Sequence, residues 1–241
     1  MDRSPQRSPL FFRLARPYVR RQLGRALDGL YAAGIEETRE LLATRPVILA
    51  ANHVAWWDPL LLVALDEVLG AEGYALMDRE NLGRFPIFTR LGGVPLDRER
   101  PRAGLRLAAG LLDRPRRALW IFPQGHERPP HLRPLGFRRG VSILARLAPS
   151  DALVVPVGIH YAFREGHYPA ALVSMGAGID PREVAQADGV RRLEGAVERE
   201  LARIDRELEG TEPGFVPIVP SRLRRPDRGA GARLLDRLLR R

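Results

Sequence analysis

A chain of 241 residues with 45% apolar and 28% charged side chains is long enough for one full hydrophobic core with terminal additions. It contains no cysteine, which excludes disulfides, thiolate metal sites and a cysteine nucleophile. The formal net charge is +10 and arginine supplies all of the Lys+Arg total, a balance that favours an anionic partner such as a membrane surface, a phosphate-bearing substrate or nucleic acid.

In chain order, residues 9–42 are predicted to be helical and basic. Leu10, Leu14 and Tyr18 fall at helical spacing, Arg13, Arg16 and Arg20 occupy a neighbouring face, and Pro17 is expected to kink or divide the helix. A basic amphipathic helix with Phe11 and Phe12 near its start suits either a membrane interface or packing on its own domain. The apolar stretch Leu10-Phe11-Phe12 ends at Arg13, far short of a signal-peptide core or a membrane span, and no later window reaches spanning length without charge. The expectation is therefore a cytoplasmic protein that meets the inner face of the cell membrane from the surface.

From about 45 to 180, short apolar runs alternate with helical patterns, the mark of an α/β layer architecture. Strands are predicted near 47–51, 74–77, 119–122, 153–159 and 171–175, and helices near 59–69, 102–113 and 138–147. A long amphipathic helix follows, with Val190, Leu193, Val197, Leu201, Ile204 and Leu208 recurring every three or four residues. The segment TEPGFVPIVP is too rich in proline for regular structure, and the terminal RLRRPDRGAGARLLDRLLRR forms a second basic amphipathic element. These patterns divide the chain into a basic helical region at 1–42, a main domain at 43–210 and a basic tail at 211–241.

The residues that carry chemistry begin with Asn52, His53 and Asp58, an NHxxxxD pattern between two apolar runs. A histidine at the carboxyl end of a strand projects into the crevice where α/β proteins bind ligands. A carboxylate within reach fixes the imidazole tautomer, and the pair can deprotonate an alcohol for attack on an acyl group. Asp58 followed by Pro59 also reads as an ordinary helix N-cap, and a carboxylate with two oxygens can serve both ends. Three further blocks follow: Gly92-Gly93-Val94-Pro95-Leu96-Asp97-Arg98, Trp120-Ile121-Phe122-Pro123-Gln124-Gly125 and Val154-Val155-Pro156-Val157-Gly158. Each sets Gly, Pro or Arg beside an apolar run, where loops build sites on a rigid sheet. Backbone N–H groups near Gly93 or Gly125 are candidates for holding an oxyanion.

In this order and spacing the four blocks resemble those of the phospholipid/glycerol acyltransferase family, the group containing lysophosphatidate acyltransferases, over roughly residues 40–180. The resemblance implies a mixed, mostly parallel β-sheet surrounded by helices. It implies transfer of an acyl group from a thioester, acyl-CoA or acyl-carrier protein, to a hydroxyl of a lipid acceptor, with no bound cofactor or metal. His53 matches the family's general base and Asp58 the residue that orients it, whereas Arg98 matches the arginine associated with the acceptor's phosphate. Gly93, Gln124, Gly125 and Arg128 are then expected at the acceptor, and Trp56, Trp57, Phe122, Pro123 and Pro156 along the acyl groove.

The third block departs from the family's FPEGTRS. It reads FPQGHER: Gln124 stands where glutamate is expected, His126 replaces threonine, and Glu127 takes the arginine's place, with the nearest arginine shifted to Arg128. Two acceptors follow from this. Arg98, Arg128, Arg138 and Arg139 assemble an anion site for lysophosphatidate or another glycerolipid, or the substrate offers an uncharged hydroxyl, as on a glycolipid or carotenoid glycoside. A non-enzymatic basic protein for membrane or nucleic acid is the contrasting reading, although no recognised nucleic-acid module is present and no nucleic-acid partner is expected. One of the two tryptophans is expected in the core, His126 and His131 at the rim or surface, His160 and His167 in structural roles, and Arg116-Arg117 and Arg224-Arg225 on solvated faces.

Overall fold

The computed structural model describes residues 7–164 and 167–221. Its elements are α1 (Pro9–Ala26), β1 (Leu30–Ala33), α2 (Ile35–Thr44), β2 (Val47–Ala51), α3 (Asp58–Leu69), β3 (Glu72–Asp78), α4 (Arg79–Arg84) and α5 (Ile87–Arg90), then β4 (Gly93–Leu96), α6 (Pro101–Gly110), β5 (Arg117–Ile121), α7 (Gly140–Leu147), β6 (Leu153–Phe163), β7 (Pro169–Met175), α8 (Pro181–Val184), α9 (Gly189–Leu208) and β8 (Val216–Val219). The strands form one eight-stranded sheet in the order β4-β3-β5-β2-β6-β7-β1-β8. The five from β4 to β6 run parallel, β7 turns back against β6, β1 runs with β7, and β8 returns antiparallel at the far edge.

Both faces of the sheet are covered, so the central strands read as unbroken apolar runs. Along β2 the side chains alternate. Val47, Leu49 and Ala51 join the cluster beneath α1, α2 and α3, whereas Ile48 and Ala50 join the one beneath α6, α7 and the start of α9. The VILAA run is buried at every position. Helix α3 contributes Leu61, Leu62, Val63, Leu65 and Leu69, each buried side chain worth roughly 1.5–3 kcal/mol. One polar pair interrupts this core: Trp120 Nε1 donates to Asp66 Oδ1 at 2.8 Å, and Gly73 leaves the room that the Asp66 carboxyl occupies. Burial pushes the Asp66 carboxyl up to about 7, against the smaller opposing effects of the Trp120 hydrogen bond and the Arg7 charge.

Three strands lie where the pattern showed none. β1 sits inside the stretch predicted as helix, bracketed by Gly29 and Gly34, both in the left-handed region. β4 is too short to show a period, and β8 falls within the proline-rich segment. Pro217 is tolerated in β8 because an edge strand can spare the N–H that proline lacks. Strands from both flanks thus enter the sheet. The basic tail beyond Ser221, with Arg224 and Arg225, lies outside the described residues.

Helix α1 runs unbroken through Pro17, which sits on its exposed face, where solvent can take the carbonyl that proline leaves without a donor. Phe12, Val19 and Leu23 face the core, and Arg16 and Arg20 reach Glu67 of α3 at 3.4 and 3.0 Å. The opposite face leaves Leu10, Leu14 and Tyr18 exposed as a continuous apolar stripe. Packing on the domain and an available interfacial face are therefore properties of one helix. No helix among the described residues is long and apolar enough to cross a membrane.

Candidate active site

The carboxyl ends of the five parallel strands share one edge of the sheet, where α/β folds place ligands. β2 ends there at Ala51, and Asn52 locks its end to β6. The Asn52 amide is buried, donating to the Ile159 carbonyl at 2.9 Å and accepting from the Ile159 N–H at 2.7 Å. A side chain thus extends the β2–β6 ladder by one step and sets the exit direction of the chain at His53.

His53 is held on three sides. Its N–H donates to Gln124 Oε1 at 2.5 Å, its carbonyl accepts the Arg128 N–H at 2.9 Å, and its ring stacks on Phe122 at 4.4 Å between centroids. Nδ1 lies 2.7 Å from Asp58 Oδ2. An ionised carboxylate only accepts, so the ring proton sits on Nδ1 and the Nε2 lone pair faces outward. The His53 side chain is 19% exposed and Asp58 fully buried, so the imidazole is reachable while the carboxylate is not.

Asp58 does not cap α3 through its side chain. Trp57 occupies the cap position and the carboxylate points back into the loop. Oδ2 accepts the Val54 and Ala55 N–H groups at 2.9 and 3.2 Å as well as His53 Nδ1, and Oδ1 accepts the Tyr161 hydroxyl at 2.7 Å. Four donors and the first turn of a helix hold this buried charge in place. Burial, reinforced by Asp58 and more weakly by Glu127, pushes the Tyr161 phenol far above its ordinary range, so it stays a donor to Asp58. Sequence reasoning passed over Tyr161 and gave Asn52 no separate role. The only available signal was the parallel pairing of β2 with β6, which carries the residues after Val157 past the end of β2.

Several expected acceptor residues have other tasks. Gln124 is buried, and while Oε1 holds His53, its Nε2 donates to the Leu135 carbonyl at 3.1 Å. Both ends of the amide are thereby used within the fold, one accepting from the His53 backbone and the other donating to Leu135. Arg128 turns its guanidinium onto the Pro134 and Leu135 carbonyls. The Gly125 N–H is spent on the Phe122 carbonyl at 3.0 Å. Gly93 is buried in β4, where a Cβ would run into Leu82 and the Phe88 backbone. Arg98 pairs with Asp78 at 2.5 Å beyond the edge strand β4. Two strands separate β4 from β2, a lateral offset of about 14 Å, so the fold does not bring Arg98 against His53.

The groove residues divide in the same way. Phe122 stacks on the base, and Pro123 is buried behind it with its carbonyl accepting the Arg138 N–H at 2.9 Å. Pro156 is buried within β6 opposite Ala50 of β2, and its carbonyl accepts the Gly176 N–H at 2.9 Å just past the end of β7. Trp57 packs on the core and Trp56 stands exposed at the rim, the two rings meeting edge to face at 5.3 Å. Beyond Nε2 of His53 stands Glu127, its Oε1 4.0 Å away. Among the described residues no cluster of three or more His, Asp or Glu side chains is placed to hold a metal.

A family model described as Acyltransferase matches residues 33–160, more than half of the chain, and includes Asn52, His53, Asp58 and Gln124, with Tyr161 one residue beyond its end. The chain belongs to the acyltransferase family. It is accordingly an enzyme of acyl transfer, and the mixed, mostly parallel sheet flanked by helices is the fold of that family. Among solved structures, the 1-acyl-sn-glycerophosphate (LPA) acyltransferase PlsC from Thermotoga maritima is similar over 80% of this chain and 79% of that one, with a TM-score of 0.59 and 19% identity. No curated protein matches the chain.

Proposed function

We propose that this acyltransferase moves a fatty acyl group from acyl-CoA or acyl-carrier protein to a hydroxyl of a glycerolipid, with His53 as general base and Asp58 as its orienting partner. The observation that carries the reading is the His53 Nδ1–Asp58 Oδ2 bond of 2.7 Å, which leaves Nε2 free on the accessible side. The acceptor hydroxyl gives its proton to Nε2 while its oxygen attacks the thioester carbonyl, and Asp58 stabilises the imidazolium that forms. Collapse of the tetrahedral intermediate expels the thiolate, which takes the proton back from Nε2. No acyl-enzyme is required: cysteine is absent from the chain, and the group facing Nε2 is a carboxylate rather than a hydroxyl or thiol.

Membership of the family and the likeness to an LPA acyltransferase support a glycerolipid acceptor. The exposed stripe of Leu10, Leu14 and Tyr18, flanked by exposed Arg13 and Arg21, supports a peripheral seat on the inner face of the cell membrane, with Trp56 at the rim of the site. The test is thiol release from palmitoyl-CoA by the purified protein in the presence of glycerolipid acceptors. His53→Ala abolishes that release on every acceptor, and retained turnover in the variant refutes the mechanism.

A further inference from the structure

We infer that the acceptor presents an uncharged polyol to His53, and that Glu127 selects it by accepting a hydrogen bond from a second hydroxyl. This rests on the acyl-transfer reading above and names the substrate class for the same site.

The loop that carries Glu127 is bound to the base from both sides. Gln124 takes the His53 N–H and the Arg128 N–H takes the His53 carbonyl, so residues 125–127 are strung across the imidazole between two fixed points. Glu127 therefore faces Nε2 because of the loop's anchoring, with Oε1 at 4.0 Å and half its side chain open to solvent. With Nε2 and Oε1 only 4.0 Å apart, a hydroxyl that donates to Nε2 has room beside this carboxylate. A neighbouring hydroxyl on the acceptor then has a ready hydrogen-bond acceptor in Glu127, keeps its own proton, and aims the first hydroxyl at the base. The attacking hydroxyl's proton passes to Nε2 and from there to the departing thiolate, as before.

A phosphomonoester offers the opposite chemistry at this position, namely negative charge and no donor facing a fixed carboxylate. Of the four arginines, Arg98 and Arg128 are engaged elsewhere, while Arg138 and Arg139 are exposed and Arg138 rests on the loop that carries Glu127. Arg98 is paired with Asp78, Arg128 is turned onto the Pro134 and Leu135 carbonyls, and Arg138 Nη2 rests 3.3 Å from His126 Nδ1. Arg139 is exposed at the start of α7. Where the sequence offered four arginines as an anion site, the fold places a carboxylate next to the base. The complementary ligand is a neutral polyol, either the free glycerol end of a monoacylglycerol or the sugar of a glycosylated diacylglycerol.

The experiment uses the full chain with palmitoyl-CoA and three acceptors in mixed micelles: monoacylglycerol, monoglucosyl diacylglycerol and lysophosphatidate. The expected result is a kcat/KM at least tenfold higher for one of the neutral acceptors than for lysophosphatidate, and which one it is identifies the source of the polyol. Glu127→Arg is expected to move the ratio at least tenfold toward lysophosphatidate, while Glu127→Gln, which keeps an acceptor oxygen, moves it less. His53-dependent turnover that prefers lysophosphatidate, or a ratio that Glu127→Arg leaves unmoved, overturns the inference and leaves the acyl-transfer reading standing. Turnover that survives His53→Ala on these acceptors overturns both.

Discussion

Replacing Asp58 by asparagine separates the charge of this side chain from its hydrogen bonds. If the asparagine Oδ1 takes the place of Oδ2, it can still accept from His53 Nδ1 and from the Val54 and Ala55 N–H groups. The new amide then faces Tyr161, whose hydroxyl turns from donor to acceptor. All four contacts survive, so the folding cost stays below about 1.5 kcal/mol, a fall in Tm of no more than about 6 °C at this chain length. The lost quantity is the attraction between a carboxylate and the imidazolium that forms during proton transfer. With the two charge centres about 4.5 Å apart and an effective dielectric near 20, that attraction is about 3.7 kcal/mol. At 1.36 kcal/mol per decade it corresponds to a fall in kcat of between two and three orders of magnitude. The assay is continuous thiol release from palmitoyl-CoA at saturating acceptor, with a thermal melt of the same preparation. A kcat within threefold of the parent at unchanged Tm would show that the Asp58 charge takes no part in the reaction. Loss of the fold would show that the hydrogen-bond accounting is wrong.

Tyr161→Phe removes the only side-chain donor to Asp58 Oδ1 and should cost about 1–3 kcal/mol in stability, read by urea unfolding, with a kcat loss smaller than that of Asp58→Asn because the charge remains. Gln124→Glu removes the donor to the Leu135 carbonyl and buries a charge. It is expected to destabilise by about 2–4 kcal/mol at pH 8 and by less at pH 5, where a protonated carboxyl again donates; equal stability of variant and parent at pH 8 would exclude the amide's role. Asp66 supplies a pH signature independent of catalysis. Its folded-state value of about 7 lies above the ordinary 3.8, so the folded state holds a proton that the unfolded chain releases. The contribution of this group to stability is therefore greatest below pH 4 and falls as pH rises to about 7, by up to roughly 1.4 kcal/mol per pH unit. Asp66→Asn should flatten that slope in unfolding curves taken from pH 4.5 to 8, and parallel curves would refute the assignment.

The parts of the site legible in the sequence are the local ones. His53 and Asp58 lie five residues apart in one strand–loop–helix junction, so their bond depends only on how that junction turns. The central strands were readable for a similar reason, since burial on both faces leaves an unbroken apolar run in β2 and β6. β1, β4 and β8 were not, because four residues show no period and their strand character comes from a neighbour's ladder. The helix cap expected of Asp58 failed because the loop N–H groups and Tyr161 compete for the same carboxylate, and together they outnumber the helix's first turn.

By itself the sequence determined the layer architecture, singled out His53 and Asp58, and showed the departure from the family pattern at residues 124–128. Only the tertiary structure decided what that departure does. Gln124 reaches His53 across 71 positions and Tyr161 reaches Asp58 across 103, contacts that exist because parallel strands bring their carboxyl ends to one edge. The same geometry carries Arg98 away with an edge strand and sets Glu127 over the base. A charge acts through distance, and distance across a sheet follows strand order, which no local pattern in the chain encodes.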